Sequence, residues 1–242
     1  KLVDKQYESV KPEERVKFAE EIEAAAMQQS DKIISTTAGY NDTIYHTVKA
    51  HSNGFLGESH GTSFAAGASV TVEDPAGGRP SDWYWSVDHY RSGLLAPATL
   101  GENAVKRALQ KIGQEKIESG KYTMIVENRS GGRLIGVLRS PMSARALQQK
   151  SSYLEGMLGK SIASEKLSLI DDPLIEKGLG SHLYDGEGLA AKKRVFVEKG
   201  VLKQYFVDNY YGKKLGMKPT TSSTSNLLFD YGDRVLDDIV KD

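Results

Sequence analysis

Residues 32–73 read KIISTTAGYNDTIYHTVKAHSNGFLGESHGTSFAAGASVTVE, and this run decides the class of fold. Three segments within it, KIISTTAGY, TIYHTVKAHS and SFAAGASVTVE, are rich in Ile, Val, Thr and Tyr. Such side chains fit a pleated surface, and Ser52-Asn53-Gly54 supplies turn chemistry between the segments. The spacing predicts short neighbouring antiparallel strands. Beyond a Pro/Gly loop, DPAGGRP, the alternating stretch DWYWSVDHY predicts one more strand. Helices flank this block. Upstream, VKFAEEIEAAAMQQS repeats Val16, Ala19, Ile22, Ala26 and Met27 at helical spacing behind an acidic first turn. Downstream, TLGENAVKRALQKIG sets apolar residues at 104, 105, 108 and 112 and offers Thr99 as a cap.

The second half carries weaker signals. YTMIV at 122–126 reads as a short buried strand, and residues 133–159 are helical in parts but broken by Pro141. LSLIDD and RVFVEKGVLKQYFVD read as strands, the latter folded at Glu198-Lys199-Gly200 into a tight hairpin. NYYGKKLG predicts a short helix, and TTSSTSN a polar, mobile stretch. Strand clusters joined by hairpins, with helices packed on them and no regular βαβ alternation, predict an α+β fold with mixed or antiparallel sheets. The expected divisions are a linking helix over 1–30, an antiparallel α+β segment over 31–120, and a third region over 121–242.

Composition removes several function classes. Lys plus Arg and Asp plus Glu balance at 32 each in 242 residues, so no summed field attracts nucleic acid or an anionic membrane. Cysteine is absent, which excludes thiolate zinc sites, disulfides and a cysteine nucleophile together. No window approaches the length of an apolar transmembrane helix. The chain starts at Lys1 without a methionine, which suggests a piece of something longer.

The chemistry-bearing motifs are each matched by a plainer reading. HGTSFAAG at 60–67 is similar to the serine segment of subtilases, but only 62 residues precede Ser63, and no aspartate motif stands upstream of His46 and His51. A small-residue strand whose Gly and Ala allow close packing is the better expectation. None of the histidines, His46, His51, His60, His89 and His182, is followed by Glu or by a second histidine at helical spacing, so a self-contained zinc site is not expected. The stretch DDPLIEKGLGSHLYDGEG, from Asp171 to Gly188, concentrates acids, glycines and an imidazole. Its GLGSHL lacks a dinucleotide fingerprint, and its DGEG fails the calcium-loop register. Asp172 and Asp185 form an acid-base pair only if the loop folds back. Asp171, Asp172, His182, Asp185 and Glu187 are therefore expected to order a loop or line a cleft. Trp83 and Trp85 share one strand face, which suits either the core, together with Val87, or a contact with peptide or partner that also involves Arg79. The core is the stronger expectation.

The segments SNGF (52–55), DWYWS (82–86), GENAVKRAL (101–109), LIDDP (169–173) and, above all, YDGEGLAAKKRVFVEKGVLKQYFVDNYYGKKLG (184–216) together resemble one family, the TldD/TldE proteins, also called PmbA or modulators of DNA gyrase. The resemblance runs from about Ile33 to Gly232 and implies the central part of a TldD/PmbA-like fold within a longer chain. In that family the TldD branch carries an HExxxH zinc helix, and the TldE branch lacks it and pairs with TldD. Here the corresponding interval, RLIGVLRSPMSARALQQKSSYLEGMLG, has no histidine. The resemblance thus implies a TldE-like, non-catalytic subunit with no metal or cofactor of its own. It further implies zinc only in a TldD-type metallopeptidase partner, a heterodimer or homodimer, unfolded peptide as substrate, and a bacterial cytoplasmic setting without direct nucleic-acid or membrane contact.

Overall fold

The run around Asn53 folds as one long hairpin. In the computed structural model, which describes residues 2–241, β1 (Ile33–Ala50) and β2 (Leu56–Val72) pair antiparallel from Ser35↔Thr71 to Ala50↔Leu56, with one irregularity between Ile33 and Ser35. The two segments expected to be separate strands, KIISTTAGY and TIYHTVKAHS, are thus a single strand. Asn41 and Asp42 do not break it, because the Asp42 carboxylate finds partners in mid-strand. It accepts from Arg15 Nε at 2.6 Å and from Tyr7 Oη at 3.1 Å. β3 (Ser81–Asp88) adds to β2 only over Phe64↔Asp88 to Thr71↔Ser81, so among the described residues the outer part of the hairpin has no third strand.

Alternation along β2 assigns its two faces. Phe64, Ala66, Ala68, Val70 and Val72 are fully buried, and α1 (Pro12–Met27) and α2 (Pro97–Leu109) cover most of that row. From α1 the buried residues are Ile22 and Ala26, one helical turn apart, with Phe18 packed beside them. Val16 and Met27, expected on the same stripe, are exposed. α2 buries Leu100, Ala104, Val105 and Ala108. It starts at Pro97, whose fixed φ suits a first helical position, so Thr99 lies inside the helix and is not its cap. Gly101 marks the helix crossing: a Cβ there would lie 2.6 Å from the Ile22 carbonyl oxygen.

These elements make up one compact unit, Lys1–Ser119, and Gly120–Asp242 is a second with its own core. The second unit holds α3 (Asn128–Arg139), α4 (Ala144–Gln148), α5 (Asn209–Leu215), α6 (Leu236–Val240) and a four-stranded antiparallel sheet. Its strands, in the order β6-β5-β4-β7, are β4 (Leu169–Asp171), β5 (Arg194–Glu198), β6 (Val201–Leu202) and β7 (Leu227–Phe229). Lys199 and Gly200, at φ 46° and 77°, make the two-residue turn between β5 and β6. Phe196 stacks on Phe206 at 3.7 Å inside a core that includes Met142, Leu169, Leu202 and Val207. The expected strand at 122–126 does not form. Among the described residues no strand pairs with it, and Tyr122, Met124 and Ile125 are exposed. Among the described residues no helix is long and apolar enough to cross a membrane. The fold is α+β, with antiparallel sheets and packed helices.

Candidate functional site

Four carboxylates of the 171–188 loop, those of Asp171, Asp172, Asp185 and Glu187, each accept defined donors. Asp171 and Asp185 are buried, and each holds one serine twice. Asp171 Oδ1 accepts from Ser225 N at 2.6 Å and Oγ at 2.9 Å. Asp185 Oδ2 accepts from Ser222 N and Oγ, both at 2.9 Å, while its Oδ1 takes the Glu187 and Leu189 amides. The TTSSTSN segment expected to be mobile is therefore laced to the loop. Its Asn226 also bonds Gly180 N, the Asp172 carbonyl and Ser181 Oγ. Burial alone would raise the Asp185 pKa. The amide and hydroxyl bonds, led by the Ser222 amide, outweigh that and hold the carboxyl below its ordinary value.

The remaining loop residues are anchored as well. Asp172 closes a turn with Leu174 N at 3.1 Å and pairs with Lys193 at 3.3 Å. Glu187 accepts from Asn209 N at the start of α5, and His182 Nδ1 lies 2.9 Å from the Gly180 carbonyl oxygen. All these groups order backbone.

The tryptophans sit on the sheet face away from α1 and α2. Trp83 is 52% exposed and Val87 is exposed as well, contrary to the core expectation, because the inward position of β3 belongs to Tyr84. Trp85 is half-buried for a local reason. Gly39, Gly67 and Trp85 stand in one cross-strand row, and the indole lies over both glycines. A Cβ on Gly67 would lie 2.7 Å from Trp85 Cγ. The small residues of HGTSFAAG thus serve close packing. Arg79 is exposed in the loop before β3.

One further cluster appears that the spacing of histidines within a strand did not reveal. The β1–β2 register sets His46 opposite His60, with Glu58 two residues along on the same face of β2. Glu58 Oε1 lies 2.6 Å from His46 Nε2 and 3.2 Å from His60 Nε2, and the two imidazoles stack at 3.8 Å. The His46 hydrogen bond holds the Glu58 carboxyl below its usual value. Among the described residues this is the one group of three or more His, Cys, Asp or Glu ligand atoms within 4.8 Å of one another. His51 stands apart in the turn against Phe55, and His89 is buried with Nδ1 at 2.7 Å from the Thr62 carbonyl oxygen. The overlooked signal was the hairpin itself: His46 and His60 are equidistant from Asn53.

The interval in which the resemblance places a zinc helix contains α3 and α4. α3, NRSGGRLIGVLR, presents no imidazole, carboxylate or thiolate, and across 128–168 the only carboxylates are Glu155 and Glu165. Glu155 pairs with Lys150. That donor set does not fit a catalytic zinc.

Comparison with known proteins bears on the whole chain. Residues 119–242 match the family model of the PmbA/TldA metallopeptidase C-terminal domain, and residues 5–112 match that of the central domain. Metalloprotease PmbA of Escherichia coli O157:H7 is 29% identical over 217 residues, covering 87% of this chain and 47% of that protein. A Bacteroides thetaiotaomicron structure, named for modulation of DNA gyrase, is 36% identical with a TM-score of 0.94, over 99% of this chain and 55% of its own. TldE from Thermococcus kodakarensis shares the fold, with a TM-score of 0.66 at 22% identity over 96% of this chain and 55% of its own. The chain spans about half the length of the curated relatives it matches. With both domain models matched in order, the chain belongs to the metallopeptidase-related PmbA/TldD/TldE family.

Proposed function

We propose that this chain is a TldE/PmbA-like, non-catalytic subunit that pairs with a TldD-type zinc metallopeptidase to degrade or mature peptides in the bacterial cytoplasm. The observation that carries this reading is the composition of α3 and its surroundings, which offer no ligand set for a hydrolytic metal. The acidic loop supports it. Asp171 and Asp185 are each engaged by amide and hydroxyl donors, which commits their oxygens to holding backbone. In this reading the exposed Trp83 and Val87 face of the sheet contacts unfolded peptide or the partner.

The test is peptide cleavage by the chain alone and after mixing with a TldD-type subunit. Cleavage is expected only in the mixture, accompanied by a mixed species on size-exclusion chromatography. Chelator-sensitive cleavage by the chain alone overturns the reading.

A further inference from the structure

We propose that His46, Glu58 and His60 form a zinc-binding site on the outer part of the β1–β2 hairpin. Two imidazoles and a carboxylate are a ligand set suited to Zn2+ and neighbouring transition metals. Three protein ligands leave the fourth position to water or to another group. The site is separate from the accessory role proposed above, because the hairpin belongs to Lys1–Ser119 and the empty zinc interval to Gly120–Asp242. It departs from the expectation that this chain carries no metal.

The geometry is near what a tetrahedral ion needs. Ligands about 2.0 Å from zinc stand about 3.3 Å from one another. Glu58 Oε1 is already 2.6 Å and 3.2 Å from the two Nε2 atoms, and all the ligand atoms lie within 4.8 Å. The two rings, stacked 19° from parallel, must splay for both Nε2 atoms to point at one ion, and their half-exposed side chains leave room for that rotation. The backbone spacing is held by the ladder, since Thr47↔Ser59, His46↔His60 and Tyr45↔Gly61 are successive pairs of one uninterrupted register.

Two more features mark the place. Both Nε2 atoms are turned to the same carboxylate oxygen, Glu58 Oε1, so the three donors already share one side of the hairpin. The position also stands out along β2. Val72, Val70, Ala68, Ala66 and Phe64 are buried on this face, and Thr62 is buried against Asp4 N and the His89 carbonyl. His60 and Glu58 continue the same row, where none of the described helices covers it. Their side chains and that of His46 are about half exposed, at 50%, 58% and 51%, so an ion reaches them from solvent without any opening of the fold.

The test uses the metal-free chain titrated with Zn2+ by calorimetry, with Co2+ absorption as a reporter of tetrahedral coordination. Loss of an outer-shell partner alone commonly weakens a metal site 10–100-fold, so loss of a ligand is expected to weaken it by at least about 100-fold. One zinc per chain is expected. His46→Ala and His60→Ala should each lose it, and His182→Ala should retain it. Because all three ligands are exposed, melting temperatures in the absence of metal should be unchanged. Zinc should also shift the NMR signals of His46 and His60 in the unaltered chain and leave those of buried His89 in place. No uptake of zinc, or uptake undiminished in the His46→Ala/His60→Ala double variant, overturns the proposal.

Discussion

Asp185 shows how one acidic side chain can organise distant backbone. Its two oxygens take four donors from Glu187, Leu189 and Ser222, tying the turn at 185–189 to the segment that follows α5 in the chain. Asp185→Ala should destabilise the protein by about 3 kcal/mol, since bonds to a charged, buried acceptor are lost and the donors are left unpaired. Its folded pKa is depressed, so its contribution is fully present above the unfolded value near ~4 and is lost as pH falls through the folded value. Denaturant melts at descending pH should therefore show an acid-side decline that is shallower in Asp185→Asn. An unchanged acid limb in that variant would refute the assignment. The sequence made the acids of this loop conspicuous, together with their backbone-ordering role. It did not reveal that Ser222 and Ser225 receive them, because a tract of small polar residues reads as mobile until a carboxylate from 37 or 54 residues away meets it.

Elements were legible where periodicity was strong and ambiguous where it was interrupted. α2 follows its apolar spacing closely, whereas the two segments expected as separate strands, KIISTTAGY and TIYHTVKAHS, run as one through Asn41-Asp42, where Arg15 holds the Asp42 carboxylate. Trp85 and Trp83 follow the same alternation yet differ in worth, because only Trp85 lies over glycines of the other two strands, Gly67 on β2 and Gly39 on β1. Trp85→Ala should cost about 2 kcal/mol through lost aromatic cover, and Trp83→Ala should fall within about 0.5 kcal/mol of the parent. Gly67→Val should be worse than either, since its side chain would enter the Trp85 ring and the Tyr84 carbonyl. Thermal melts of the three variants check this order. YTMIV illustrates the opposite failure: apolar content alone predicted a strand, but a strand needs a neighbouring strand, and among the described residues no sheet includes 122–126.

At the scale of the whole molecule, residues 114–127 carry no helix or strand and join the two compact units. Lys116 and Lys121 are exposed within that stretch. Limited trypsin digestion should cut there first and yield two fragments, identifiable by mass, that resist further cleavage; first cuts inside the hairpin would contradict this. The hairpin also bears on how the first unit reaches its native state. Its ladder runs from the near-neighbour pairs Ala50↔Leu56 and Lys49↔Gly57 to the distant pair Ile33↔Val72, so zippering from the turn is the route of least chain entropy. Yet the turn-proximal rungs bury little, and the buried row starts at Thr62 and Phe64. Early rungs therefore open as readily as they close until Ile22 and Leu100 dock on Ala66, Ala68 and Val70. The rate-limiting ensemble should be structured at the root of the hairpin and frayed at its tip, giving high φ-values at Val70 and low ones at Val48.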